Sequence, residues 1–165
     1  MPTFTLEVKA ELENIESFSP PGDVCWKFDI ESEGGERRDG ITLCPNDEEE
    51  EVEGGRGKAH FVMKWAKSDK HQAYIKVLPI SKAKKGATGV YSNPGVWEPM
   101  LICEVRGLKV TKWIPGNDFD VVASCGTKFA AADVPFSDEE HDWYDVDDQN
   151  ESVSITELES RITMN

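Results

Sequence analysis

Apolar and polar residues alternate from the first positions of the chain. Phe4, Leu6, Val8, Ala10 and Leu12 fall on one side, and Thr5, Glu7, Lys9 and Glu11 on the other. A period of two predicts a half-buried strand. Phe18-Ser19-Pro20-Pro21-Gly22-Asp23 reads as a turn, after which Trp26, Phe28 and Ile30 alternate with Lys27, Asp29 and Glu31 in a second strand. A polar loop over 32–36 precedes a short strand at 41–43. Further on, Ala59, Phe61, Met63 and Trp65 share a face, and residues 71–78 supply the hairpin partner across Lys67-Ser68-Asp69-Lys70. Residues 79–97 read as a connection rich in Pro, Gly, Ser and Lys. Strands return at 100–106, near 121–123 and over 153–158, with an acidic, aromatic segment at 137–148. No long stretch has a capped period of 3.6, so at most a turn of helix is expected, capped by Ser137.

An internal echo runs through this pattern. Glu7-Val8-Lys9 is followed by Leu12, Phe18 and Pro20-Pro21-Gly22-Asp23; Glu104-Val105-Arg106 is followed by Leu108, Trp113 and Pro115-Gly116-Asn117-Asp118. Strand, aromatic and Pro-Gly turn recur in order. The expected fold is all-β and mainly antiparallel: two pseudo-symmetric β halves in one sandwich- or barrel-like body, which closes edges that a lone sheet would expose. Residues 1–165 then form a single unit, with a first half at 1–78 carrying an acidic loop at 45–53, a linker at 79–97 and a second half at 98–165.

Composition narrows the partners. Asp and Glu number 32 against 18 Lys and Arg, a net charge of -14 that opposes nucleic acid and anionic membranes. The basic run Lys82-Ala83-Lys84-Lys85 passes into Gly86-Ala87-Thr88-Gly89 and reads as solvated chain. No window approaches the length of a membrane span, and the first residues carry no basic or apolar signal region. Cys25, Cys44, Cys103 and Cys125 form no CxxC pair, so free thiols in a reducing, cytoplasmic setting are expected. The acidic run 47–51 buries nothing and reads as a disordered loop tip.

Tests for chemistry come back negative. Gly54-Gly55-Arg56-Gly57-Lys58-Ala59 lacks the first glycine and the hydroxyl of a phosphate loop. The stretch opening at Asp145 has Asn150 where a calcium loop turns on Gly, and Thr156 where it needs Glu. His60, His71 and His141 occur singly, and nothing in the sequence activates Cys125. No catalytic or cofactor-binding residue is assigned.

Six stretches in order resemble the eukaryotic CXXC-motif zinc-binding protein family: 6–15, 54–59, 104–108, 126–129, Asp142-Trp143-Tyr144-Asp145, and 152–155. The resemblance implies a β-rich fold of two pseudo-symmetric halves and a closed four-thiolate zinc site from two CxxC pairs. Those pairs fall here on Ser32-Glu33-Gly34-Gly35 and Trp65-Ala66-Lys67-Ser68. The ligand positions are thus Ser32, Gly35, Trp65 and Ser68, which cannot stand in for thiolates. Zinc is expected to be absent, and the Trp65 ring to pack where metal would have clipped two hairpins. Arg56, Arg106, Asp142, Trp143 and Asp145, in the matching stretches, are candidates for an interaction surface or a buried ion-pair network.

The favoured reading is a non-enzymatic interaction or scaffold module with a protein partner. Alternatives are a metal-binding protein using acidic loops or scattered Cys and His, and an enzyme assembled from distant Asp, Glu, His and Cys. A pocket with a perturbed acid or base would favour the last.

Overall fold

In the computed structural model, which describes residues 2–46, 49–52 and 57–165, the alternations become antiparallel strands. The first half holds β1 (Thr3–Glu13), β2 (Ile15–Ser19), β3 (Trp26–Glu31), β4 (Arg37–Leu43), β5 (Glu50–Glu51), β6 (Lys58–Ala59), β7 (Phe61–Met63) and β8 (Ala73–Leu78). The second holds β9 (Glu98–Arg106), β10 (Lys109–Trp113), β11 (Asp120–Ala123), β12 (Lys128–Phe129), β13 (Trp143–Val146) and β14 (Ser152–Met164). The helical elements among the described residues are two 3-10 turns, Ile80–Lys82 and Ala131–Asp133.

The strands form a six-stranded sheet of order β13-β14-β1-β9-β8-β7, two three-stranded sheets, β10-β3-β4 and β12-β11-β2, and a β5-β6 pair. Exchanging β1 with β9, β2 with β10, β3 with β11, β4 with β12, β7 with β13 and β8 with β14 reverses the six-strand order onto itself and interchanges the two small sheets. The two halves therefore share one plan, related about an axis between antiparallel β1 and β9. Each half completes the other's sheets: β1 pairs with β14 and β9 with β8. Fine detail repeats as well. Phe28 and Phe119 are both fully buried, and the aspartate after each accepts a backbone N–H across its hairpin: Asp29 from Gly40 at 2.9 Å, Asp120 from Ala131 at 2.8 Å.

Trp26, Trp113, Phe119, Phe18 and Tyr91 form a chain of ring contacts with centroids 4.7–6.1 Å apart. The packing leaves Trp113 Nε1 without a hydrogen-bond partner among the described residues, a cost of about 1–3 kcal/mol that ring burial offsets. The expected linker is more than a tether. Tyr91 is fully buried, bridges to Phe18, accepts from Ala10 N–H at 3.0 Å and donates to the Val96 carbonyl at 2.7 Å.

Several boundaries shift. The expected turn at 18–23 starts after Ser19, because Phe18 pairs with Val121 in β2. β4 reaches back to Arg37 through exposed residues that carry no alternation, held by pairing with β3. Ser137 accepts the Glu139 and Glu140 N–H groups but closes only a turn. Within the acidic run, Glu50–Glu51 forms a strand rather than a loop tip, and Asp47, Glu48 and residues 53–56 lie outside the described residues.

The four cysteines are not all free. Trp26 and Leu43 are directly opposed, so Cys25 and Cys44, one step beyond, meet with Cα atoms 4.2 Å apart and form a disulfide. The sequence separation of 19 hid a pairing that the hairpin register makes. Cys103 stays a buried thiol, its pKa pushed well up by burial, and Cys125 is an exposed one. No helix among the described residues is long and apolar enough to cross a membrane.

Candidate functional site

The β3–β4 turn and the segment between β7 and β8 converge on one cleft of about 460 Å³, lined by Ser32, Trp65, Asp69 and Arg106 among others. The first turn is closed by Ser32 N–H to the Glu36 carbonyl at 2.8 Å and Gly35 N–H to the Ser32 carbonyl at 3.1 Å. Gly35 sits at φ 89°, a left-handed conformation that glycine adopts without strain. Ser32, buried, accepts Glu36 N–H on its own Oγ at 3.0 Å. The second segment is pinned by Asp69, which accepts Ala66 N–H at 3.0 Å.

Side chains tie the two together. Trp65 Nε1 donates to the Gly107 carbonyl at 2.9 Å, reaching the connection between β9 and β10. Arg38, on β4, lies 5.7 Å over the Trp65 ring and donates to the Lys64 carbonyl at 3.4 Å. Together the indole bond and the cation–π contact contribute about 1–2 kcal/mol.

The second half repeats the site with other residues. In the β11–β12 turn Ala123 N–H donates to the Thr127 carbonyl at 2.8 Å and Gly126 N–H to the Ala123 carbonyl at 2.9 Å, the same pattern as at Ser32 and Gly35. The β13–β14 turn does likewise from Asp147 to Glu151 and from Asn150 to Asp147. Asp147 Oδ1 accepts the Gln149 and Glu151 N–H groups, and Oδ2 accepts Cys125 Sγ at 3.3 Å. Those bonds, led by the one from Glu151, hold its carboxyl below the usual range. Thr127 Oγ1 accepts Asp148 N–H at 3.1 Å, so the two turns are bound through polar side chains.

Among the described residues, the expected ion-pair network of Arg106 with Asp142 and Asp145 is not formed. Arg106 sits beside the Thr3 end of β1, whereas Asp145, through β14, sits near the Glu13 end, about 30 Å away at strand spacing. Asp142 accepts Glu157 N–H, Asp145 accepts Val146 N–H, and Trp143 is buried with Nε1 donating to the Asp133 carbonyl. Of these candidates only Arg106 reaches the cleft; Arg56 lies outside the described residues.

The sequence signature described as "CXXC motif containing zinc binding protein, eukaryotic" matches residues 5–163. The chain belongs to this family. A Xenopus laevis protein named "CXXC motif containing zinc binding protein" is 29% identical over 99% of both chains. Two solved structures are similar in fold to this chain. One, a hypothetical protein from Plasmodium falciparum, has a TM-score of 0.84 at 27% identity over 99% of this chain and 100% of its own. The other, C1orf123, has a TM-score of 0.78 at 26% identity over 98% of both.

The side chains at the four positions that the resemblance assigns to the CXXC pairs do not fit zinc. Ser32 Oγ is occupied by its own turn, Gly35 has no side chain, Trp65 Nε1 is a donor already committed to Gly107, and Ser68 is an exposed hydroxyl. Among the described residues no three of His, Cys, Asp and Glu converge as a metal group. Sequence reasoning missed Arg38, which carries no motif, and met Asp147 only inside the rejected calcium-loop stretch. The repeated Gly-Gly and Cys-Gly turn positions were the only available signal for the second site.

Proposed function

We propose that this chain is a zinc-independent member of the CXXC family: a non-enzymatic interaction module in which side chains close the two turns where the resemblance places the zinc ligands. The observation that carries the reading is Trp65, bonded to Gly107 and covered by Arg38 at the place where thiolates would have joined the turns. The link that metal supplies elsewhere in such folds is here built from protein, and it leaves a cleft edged by Arg106, His71 and Asp69 as the surface offered to a protein partner. The non-enzymatic reading is supported by the separation of potential nucleophile and base. Cys125 contacts Thr127 and Asp147, while His60 Nδ1 accepts Val77 N–H and His141 Nε2 lies 3.0 Å from the Asp138 carbonyl.

Metal analysis of protein purified without affinity metal tests the zinc reading. The expected content is far below one zinc per chain, and about one per chain contradicts it. Capture of a partner by wild type that is lost in Arg106→Glu supports the cleft as the surface. Equal capture by both forms assigns the interaction elsewhere.

A further inference from the structure

The two Pro-Gly loops that echo each other in sequence meet in space. The loop before β3 and the loop before β11 line a single cavity of about 620 Å³. Its walls are apolar where Pro21, Val24, Ile114, Pro115 and Ala131 contribute. Its charged groups are Asp23, Lys27, Asp118 and Asp120. Lys27 and Asp118 precede the equivalent Phe28 and Phe119, so the pseudo-symmetry sets opposite charges at matched positions around one hollow.

Asp118 is the unusual member. It is 6% exposed, and its Oδ2 accepts Gly116 N–H at 2.8 Å. Oδ1 takes no hydrogen bond among the described residues, and Lys27 stands beyond ion-pair distance. Asp120, by contrast, is already bonded through Oδ1 to Ala131 N–H. Asp118 Oδ1 is therefore a carboxylate oxygen open to the cavity and not taken by a protein donor among the described residues, and an arriving donor or positive charge can pair with it.

We propose that this cavity binds a small organic cation, an alkylammonium or alkylguanidinium, with Asp118 as its counter-charge and the prolines and Ala131 packing on its carbon body. A bare metal ion finds no convergent set of ligands among the described residues. Anions are opposed by three carboxylates against one lysine and by the net charge of -14. The inference is independent of the fate of the zinc site. Burial pushes the Asp118 carboxyl up to about 6, against the opposing pull of the Gly116 N–H and of Lys27, so a proton competes with the cation in mildly acid solution.

The test is a titration of the full chain with butylammonium, butylguanidinium and, as neutral control, butanol, followed by the amide resonances of Gly116 and Asp118. Saturable shifts are expected with one or both cations and none with butanol. Affinity should be roughly tenfold weaker at about pH 5 than at about pH 7.5, following the carboxylate fraction. Asp118→Asn, which keeps an acceptor for Gly116 N–H, should lose binding at least tenfold, and Lys27→Ala should strengthen it. Should Asp118→Asn not fold, the pH dependence and Lys27→Ala decide alone. Shifts equal for butanol and the cations, binding indifferent to pH and to Lys27→Ala, or no saturable shift with either cation, overturns the proposal.

Discussion

The two halves solve the same problem with different chemistry. Each must hold a hairpin turn against a second turn at one end of the fold. In the first half Trp65 and Arg38 do so by a ring, a cation and two hydrogen bonds to carbonyls. In the second half the Asp147 carboxylate and Thr127 hydroxyl do so within hydrogen-bonded turns of the same plan. The open ends of the hairpins differ as well. Cys25–Cys44 closes the first covalently, while Phe136 N–H to the Gly116 carbonyl, at 3.2 Å, closes the second. Packing in one half and polar side chains in the other thus tie turns of the same plan.

The largest effect expected on this comparison comes from the covalent link. Reducing Cys25–Cys44, or replacing both by Ser, should lower the unfolding free energy by about 3 kcal/mol, read by urea denaturation. No change would show that the hairpin is already held by its register. Trp65→Ala removes the indole bond and the Arg38 contact and should cost about 2 kcal/mol, with Arg38→Ala costing less and the double variant costing less than the sum. Strict additivity would break the picture of a shared closure.

Acid titration separates two aspartates of the second half. Asp118 has a raised pKa, so between about pH 4 and 6 the folded chain binds more protons than the unfolded one and stability falls as pH rises. Asp118→Asn should flatten that slope and recover on the order of 2 kcal/mol near neutral pH. Asp147 has the opposite sign. Its folded pKa is lowered by the bonds from Glu151 and Gln149, so its contribution is present above the unfolded value of 3.8 and is lost as pH falls below it. Asp147→Asn should make acid unfolding less steep there, the smallest of these effects; an unaltered profile would remove Asp147 from the closure of the second site.

Much of the fold was legible because burial on one face imprints a period of two, as in Phe4 to Leu12 and Trp26 to Ile30. The echo of Pro-Gly turns announced the two halves. The exchange of strands between them was not legible, since no local pattern says that β1 pairs with β14 across 150 residues of chain. β10 and β13 were hard to read for a related reason: exposed Thr111, Lys112, Tyr144 and Asp145 dilute their alternation. The positions of the CXXC pairs could be placed only by resemblance, and the ties that Trp65 makes there depend on Arg38 and Gly107, which meet it only in three dimensions. The expected Arg106 network failed because six short matches carry order along the chain and no distances.

The central claim is that the first-half turns are closed without metal. Thermal unfolding of the full chain, with a strong chelator and then with added zinc, tests it most directly. The account predicts superimposable transitions, because Ser32 Oγ and Trp65 Nε1 are engaged within the fold and Gly35 has no side chain to offer a metal. A midpoint that falls with chelator and is restored by zinc would contradict it, since metal binding would then be part of the folding free energy.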